Sequence, residues 1–391
     1  MHCTKCLNRN ATQLHKTFQK QLRSWKRCLN ASTEITEKAP NEIPYHICKN
    51  DPTQHTMEDY SKLYIIPNNE VQGRLQHAVP LQFKEFSDIV RESGIILRKP
   101  SLSILKIFQE SKLHPPPKIL LYGPVGSGKS LSLLHIIQYC LLKDWVVLHV
   151  PNGFHFIDRQ GRTPIQESQW RTARVDQPEE AMLWLNQFRN MNPKFLEETK
   201  TTQVYKWGKR ESTDKDQPLL HVVEQGVGRS MFSTDAVGVI LKEIQQNTSL
   251  KVLYAVDGFN SFFGKTSHKL NGRLVNLEEL SLIRHFTKLL KPEYSLPNGA
   301  YVMAMSQSSH YLVKKAGYEV NEILPDEVLH GLGDYTAVEV PYYNDQEYET
   351  MMKYYREKRW MTKELTDSLL QQVKFMTAAD PTLVRKFCAN M

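Results

Sequence analysis

A glycine-rich segment between an apolar run and a helical pattern constrains the fold of this chain more than any other feature. It matches the phosphate-binding pattern G-x-x-x-x-G-K-[ST] at each fixed position. Its residues are Gly123, Pro124, Val125, Gly126, Ser127, Gly128, Lys129 and Ser130. The run 119–122 before it predicts a buried strand, and 130–142 after it predicts a helix. This strand–turn–helix order is the context in which the pattern binds a nucleotide.

The residue types of this phosphate loop suit a triphosphate and a magnesium ion. Glycines let the backbone turn so that successive N–H groups point at phosphate oxygens. The following helix presents the positive end of its dipole to the same anion. Lys129 would reach the outer phosphates, and the hydroxyl of Ser130 would ligate Mg²⁺. The sequence therefore predicts a nucleoside triphosphate site with Mg²⁺ as its metal.

A second apolar run ends in a carboxylate that would complete this site. Residues 252–256 predict a buried strand, and Asp257 follows them. In the Walker B arrangement such a carboxylate lies beside the phosphate loop and holds Mg²⁺, usually through water. The alternative is an aspartate that caps a loop. The next residue is Gly258 rather than a glutamate that could activate water, so we expect at most a slow NTPase.

Two further segments each have two interpretations. Ser306 and Gln307 follow the apolar run 300–305, where they would orient water or sense the γ-phosphate, or simply form a turn. The apolar stretch 95–97, with Ile96 as a candidate base-binding residue, precedes Arg98. It would line a base pocket, or belong to the core beside a solvated charge pair. No Asn-Lys-x-Asp or Thr-Lys-x-Asp motif identifies the base.

The alternation of apolar runs and helical patterns predicts an α/β fold with a parallel sheet flanked by helices. We place this nucleotide-binding core at 81–341 and a small helical domain at 342–391. Residues 34–80 are polar and interrupted by prolines, so we predict an extended N-terminal arm there. No stretch is long and apolar enough to predict a transmembrane span.

The positive charge of the chain is concentrated at its N-terminus. The formal net charge is +8, and residues 1–33 contain seven Lys and Arg residues with no Asp or Glu. An acid-free, basic segment with Leu14, Phe18, Leu22 and Trp25 on one helical face is typical of a mitochondrial transit peptide. The alternative is a basic tail that binds polyanions. Because the remainder is nearly neutral, any contact with RNA must come from local patches.

Several segments beyond the phosphate loop resemble the death-associated protein 3 family of the small subunit of the mitochondrial ribosome. They are 120–130, 144–151, 209–213, 223–226, 234–243, 255–258, 342–344 and 380–383. The segments 209–213 and 234–243 are the more specific ones, because the phosphate loop alone names only a superfamily. The resemblance covers about three quarters of the chain and fades across the N-terminal arm.

This resemblance implies an AAA-like P-loop core with a C-terminal helical lid, and residence in the mitochondrial matrix. It implies GTP as the ligand, with GDP or ATP not excluded, and Mg²⁺. The implied partners are the RNA and proteins of the small mitochondrial ribosomal subunit, with a possible second set in apoptosis. We expect no homo-oligomer. The competing hypotheses are an active NTPase that remodels partners and a nucleotide-switched apoptotic adaptor.

Two clusters interleave basic and aromatic residues and are candidate RNA contacts. One contains Lys206, Lys209 and Arg210 beside Tyr205 and Trp207; the other contains Arg356, Lys358 and Arg359 beside Trp360. Basic groups can contact phosphates while aromatic rings stack on bases. The alternative for each cluster is a solvated helix or loop face.

Overall fold

Parallel strands that carry long apolar runs form the centre of the molecule. The computed structural model describes residues 45–110, 113–157, 164–307 and 317–391. The predicted transit peptide and the first part of the predicted arm lie outside these residues. The strands are β1 (Ile47–Cys48), β2 (Leu63–Ile66), β3 (Ser93–Ile96), β4 (Lys118–Tyr122), β5 (Val146–Val150), β6 (Gln166–Glu167), β7 (Val175–Asp176), β8 (Tyr205–Lys206), β9 (Ser212–Thr213), β10 (Val252–Asp257), β11 (Lys269–Leu270), β12 (Arg273–Leu274), β13 (Gly299–Ala304) and β14 (Thr336–Glu339).

The α-helices follow the strands in an α/β alternation. They are α1 (Asn68–Gln72), α2 (Leu81–Val90), α3 (Lys99–Glu110), α4 (Lys129–Leu142), α5 (Pro178–Met191), α6 (Pro193–Glu198), α7 (Leu219–Gly228), α8 (Ser233–Gln246), α9 (Ser281–Lys288), α10 (Val320–Ile323), α11 (Asp326–Leu332), α12 (Asp345–Glu357), α13 (Asp367–Thr377) and α14 (Pro381–Cys388). The sequence has helical patterns at 178–190, 234–246 and 346–358, and helices α5, α8 and α12 match them to within one residue at each end.

The central sheet has the strand order β14-β4-β13-β10-β5, and every neighbouring pair is parallel. Strand β10 is buried along residues 252–256, and β13 is buried along its whole length. Parallel strands are covered on both faces, which is why they appear in the sequence as unbroken apolar runs. The predicted parallel sheet flanked by helices is thereby confirmed.

The sheet order decides which strand ends meet. Strand β13 lies between β4, which leads into the phosphate loop, and β10, which ends at Asp257. In parallel sheets, ligands bind at the carboxyl ends of the strands. The ends of β4, β13 and β10 therefore form one edge where the predicted site residues lie.

A smaller three-stranded sheet precedes the core. Its order is β1-β2-β3, with β1 and β2 parallel and β2 and β3 antiparallel. Leu63 and Ile66 of β2 have no exposed surface, so this part of the predicted arm contributes to the packed interior. The boundaries of arm, core and C-terminal domain stay predictions.

The C-terminal segment forms a group of three helices, α12, α13 and α14. Asn344 caps α12 through a capping box with Glu347, and Asp380 caps α14 by accepting from the N–H groups of Thr382 and Leu383. Such caps satisfy backbone donors that the first helical turn leaves without partners. Among the described residues, no helix has the length and apolar character needed to cross a membrane.

Candidate nucleotide site

The phosphate loop begins after β4 and ends at the first turn of α4. Its three glycines have positive φ angles of 138° at Gly123, 84° at Gly126 and 99° at Gly128. A Cβ on Gly126 would also lie 2.7 Å from Oδ1 of Asp380. The sequence pattern needs glycine here because other residues rarely adopt this backbone. The first N–H groups of α4 have no partner within the helix, so they are available to an anion.

Lys129 is turned back onto its own loop. Its Nζ donates hydrogen bonds to the carbonyl oxygens of Gly123 at 2.8 Å and Pro124 at 2.7 Å. Burial lowers the pKa of Lys129 to about 8, against the opposing effect of Asp257. The cation is therefore partly desolvated and held by neutral carbonyls, which is a site that favours an anionic ligand.

Asp257 lies beside Ser130, as the Walker B interpretation requires. Both residues line the same cleft. Burial raises the pKa of Asp257, while the nearby Ser130 hydroxyl and the charge of Lys129 act in the opposite direction. A hydroxyl and a carboxylate side by side are hard oxygen ligands of the kind that Mg²⁺ binds next to phosphate oxygens. The donor set therefore fits the predicted metal.

The absence of a glutamate after Asp257 has a backbone cause. Gly258 has a φ of 70°, in the left-handed region, and its carbonyl accepts from the Ser261 hydroxyl at 2.7 Å. A side chain at this position would be strained. The departure from the hydrolysing pattern therefore belongs to the turn that follows β10.

Gln307 links the end of β13 to the phosphate loop. Its Oε1 accepts from the N–H of Val125 at 3.1 Å, and its Nε2 donates to the Gly317 carbonyl at 2.8 Å. The Ser306 backbone is held by Asn260, whose side chain contacts both its N–H and its carbonyl oxygen at 2.9 Å. Both residues thus lie at the loop, and whether they also act on a γ-phosphate stays a prediction.

Arg98 is the buried centre of a network that sequence reasoning did not find. Of the two interpretations of this segment, a solvated charge pair does not apply to Arg98, which is only 4% exposed. Its guanidinium donates to both carboxylate oxygens of Glu347, at 3.2 and 2.9 Å. It also donates to the carbonyl oxygen of Ser127 at 2.5 Å. A guanidinium has five donors in a rigid fork, which explains how one side chain joins the loop to α12.

Further C-terminal residues contact the phosphate loop directly. The Tyr342 hydroxyl donates to the Val125 carbonyl at 3.3 Å, and the Thr382 hydroxyl donates to the Gly126 carbonyl at 3.4 Å. Tyr343 stacks its ring against Arg98, with 5.4 Å between the guanidinium carbon and the ring centroid. A change in the conformation of the phosphate loop would therefore alter its contacts with the C-terminal segment.

A cleft of about 860 Å³ extends from the loop and is lined by Val125 to Ser130. Gly123 and Pro124 are not in its lining; they accept from Lys129 instead. Ile96 lines the cleft together with Arg98, so the candidate base-binding residue faces the same space. Among the described residues of the lining, Asp257 has the only carboxylate.

The two aromatic–basic clusters do not form stacking surfaces. Tyr205 is 8% exposed and Trp207 is 2% exposed, and the indole N–H of Trp207 donates to Thr213 at 2.8 Å. Trp360 is also buried and donates to the Arg385 carbonyl at 2.7 Å. The prediction of base stacking was wrong because amphipathic aromatic residues also fill cores, where their polar atoms find partners. Lys206, Lys209 and Arg210 remain exposed.

Comparison with known proteins identifies the relatives of the chain. The model of the family described as mitochondrial ribosomal death-associated protein 3 matches residues 95–383. The small ribosomal subunit protein mS29 of Mus musculus is 33% identical over 393 residues, covering 97% of this chain and 100% of that protein. The protein of the same name from Bos taurus is 35% identical over 350 residues, covering 88% and 87%.

One solved structure overlaps the chain broadly but weakly. It is a chain of the HORMA:CdnC:Trip13 complex of E. coli MS115-1, with a TM-score of 0.30 and 12% identity. The alignment covers 81% of this chain and 80% of that one. A TM-score this low carries no structural inference.

Proposed function

The chain belongs to the mitochondrial ribosomal death-associated protein 3 family, and we propose that it is a nucleotide-holding structural protein of the small mitochondrial ribosomal subunit. Two mammalian relatives that align over most of their length are named small ribosomal subunit protein mS29. The mitochondrial location predicted from the N-terminal segment agrees with the family description. The partners that we propose for this chain are therefore ribosomal RNA and ribosomal proteins.

The ligand that we propose is GTP or GDP with Mg²⁺, as a structural or regulatory component. The observation that carries this is the geometry of the phosphate loop, whose glycines have positive φ and whose carbonyls hold the Lys129 amine, in a cleft that Ser130 and Asp257 both line. Ser130 and Asp257 would hold Mg²⁺, which would neutralise phosphate charge. Lys129 would exchange its carbonyl partners for phosphate oxygens. Guanine is proposed on the resemblance of the chain to its family.

The C-terminal helices are proposed to act as a lid on an AAA-like core. Their residues already contact the loop through Thr382 and Tyr342, and Arg98 connects the loop to α12 through Glu347. A nucleotide that displaces the loop by a fraction of an ångström would change these hydrogen bonds. The lid would thereby report the state of the site to ribosomal neighbours.

Hydrolysis by the purified protein is expected to be slow, near or below about 10⁻² s⁻¹, the range of P-loop proteins without an external activator. Positioning the attacking water is a large part of catalysis, and the described lining of the cleft has no carboxylate besides Asp257. Phosphate release under single-turnover conditions measures the rate. Turnover at 1 s⁻¹ or faster without partners would favour the remodelling NTPase instead.

Assembly into the subunit is expected to be independent of hydrolysis. Asp257→Asn keeps the size of the side chain and its contact with Ser130 but weakens Mg²⁺ binding. We expect this variant to sediment with small subunits in sucrose gradients of mitochondrial extract at high salt, as the wild-type protein does. A folded variant found wholly in the free fraction would make turnover part of assembly. Wild-type protein that leaves the subunit at high salt would favour an adaptor.

A further inference from the structure

A second large cavity lies away from the phosphate loop. It is a groove of about 1370 Å³ between residues 168–174, helices α8 and α9, and residues 291–295. Seven basic side chains line it: Arg171, Arg174, Lys206, Lys242, Arg284, Lys288 and Lys291. We call this surface the basic groove. Lys206 also belonged to one of the clusters singled out in the sequence.

The cations of the basic groove have few opposite charges. Within the described part of the chain, none of the seven forms an ion pair. The carboxylates in the lining are those of Asp235, Glu278, Glu293 and Glu327. Seven cations thus face four carboxylates. The groove therefore has an excess of positive charge in a nearly neutral protein.

These cations are close enough to repel one another. Burial lowers the pKa of Lys288, and the charges of Arg171, Arg284, Lys242 and Lys291 lower it further. Burial, followed by the charges of Arg171, Lys288, Arg174 and Arg284, lowers the pKa of the neighbouring His285 to about 4, so its imidazole is neutral and adds no charge. Repulsion of this kind is relieved when an anion enters.

Exposed aromatic rings accompany the positive charge. Trp170 is 56% exposed and Tyr294 is 39% exposed, and both line the groove. The Nζ of Lys288 lies 3.6 Å from the centroid of the Tyr294 ring. Exposed rings beside basic groups are the combination that binds single-stranded nucleic acid, because bases stack while the cations contact phosphates. Tyr205 and Trp207 lack this exposure.

We propose that the basic groove binds a single-stranded segment of ribosomal RNA, with phosphates on its cations and bases on Trp170 and Tyr294. This deepens the proposed function and rests on it. The alternative anion, an acidic protein segment, would use the cations but has no planar bases for the exposed rings. Seven cations spread over several elements also exceed what one phosphate group needs.

The test compares two triple variants of the full chain. R171Q/R284Q/K291Q removes three exposed cations of the groove, and K215Q/K363Q/K386Q removes three exposed cations outside both cavities. The probe is a 20-nucleotide single-stranded RNA followed by fluorescence anisotropy from 50 to 300 mM salt. The groove variant should bind about 50-fold more weakly near 0.15 M salt, and its salt slope should fall by about 2, because each phosphate contact contributes roughly 0.7 to that slope.

The control variant should keep most of the affinity, although both variants have the same net charge. Equal losses in the two variants would show a general charge effect and overturn the proposal. Tighter binding of polyglutamate than of RNA by the wild-type protein would overturn it in favour of an acidic protein partner. Trp170→Ala should weaken RNA binding without changing the salt slope, since it removes stacking alone.

RNA–protein cross-linking of wild-type protein in intact small subunits gives a readout that does not depend on the folding of any variant. Cross-links should map to residues 168–174 and 284–294. Cross-links confined to other surfaces of the subunit-bound protein would overturn the proposal that the basic groove binds RNA, and would leave the proposed function in place. Absence of the protein from the subunits would instead overturn the proposed function.

Discussion

Replacing Arg98 with methionine is expected to lower the free energy of unfolding by about 3–5 kcal/mol, the cost of leaving a buried charge without its partner. Glu347 is 3% exposed, and its carboxylate accepts hydrogen bonds from both Nε and Nη2 of Arg98. The same substitution removes donors from the carbonyl oxygens of Ser127, Pro341 and Tyr342. Urea unfolding followed by far-UV circular dichroism measures the effect.

Two controls separate the charge from the shape of the Arg98 side chain. Arg98→Lys keeps the charge but lacks the planar fork, so an intermediate loss is expected. The double variant Arg98→Met with Glu347→Gln removes both charges and should be more stable than Arg98→Met alone. Part of the loss should remain, because the carbonyl oxygens of Ser127, Pro341 and Tyr342 still lack the Arg98 donors. If the double variant is as unstable as the single one, the ion pair is not the main contribution.

The Arg98 substitution should also weaken nucleotide binding. The Ser127 carbonyl is held by Arg98 in the middle of the phosphate loop, and no other donor within the described part of the chain bonds to that oxygen. A loop with more conformations must be ordered when the nucleotide binds, which reduces affinity. The loss of affinity should accompany Arg98→Met even at temperatures well below its unfolding transition.

The parts of this fold that could be predicted are those in which neighbouring residues carry the signal. Strands β4 and β10 were each predicted to within one residue, because buried parallel strands are unbroken apolar runs. Helix α4 was predicted from the loop that precedes it. Strand β2 was missed because Pro52 and Pro67 flank it, although prolines outside a strand do not prevent its pairing.

The contacts around the loop could not be predicted because their partners are far apart in the sequence. Thr382 and Gly126 are separated by 256 residues, and Arg98 and Glu347 by 249. A single sequence gives no information about which distant polar residues meet. Arg98 and Lys99 are adjacent in the sequence, yet only Lys99 is exposed.

Lys129→Ala is expected to weaken nucleotide binding by about 10- to 150-fold, the equivalent of 1.5–3 kcal/mol for a lost hydrogen bond to a charged group. Lys129 supplies the cation for the outer phosphates, while the backbone N–H groups of the loop and Arg98 remain. Lys143→Ala removes a lysine at the opposite end of α4, where it is exposed, and should leave affinity unchanged. Isothermal titration with GTP and Mg²⁺ measures both.

Thermal unfolding of the same variants measures how much the bound nucleotide stabilises the folded protein. A ligand at 100 times its dissociation constant stabilises the folded state by about 2.7 kcal/mol, and at one times that constant by only about 0.4 kcal/mol. At a GTP concentration 100 times the wild-type dissociation constant, the wild-type protein should therefore gain most of this stability. A Lys129→Ala variant that binds GTP 100-fold more weakly should gain little. Without GTP the two proteins should unfold at similar temperatures, because two effects of the substitution oppose each other. Removing a buried cation stabilises the folded state, whereas leaving the Gly123 and Pro124 carbonyls without a donor destabilises it. A wild-type melting temperature that saturating GTP does not change would contradict the site itself. Undiminished GTP binding by Lys129→Ala would contradict it as well.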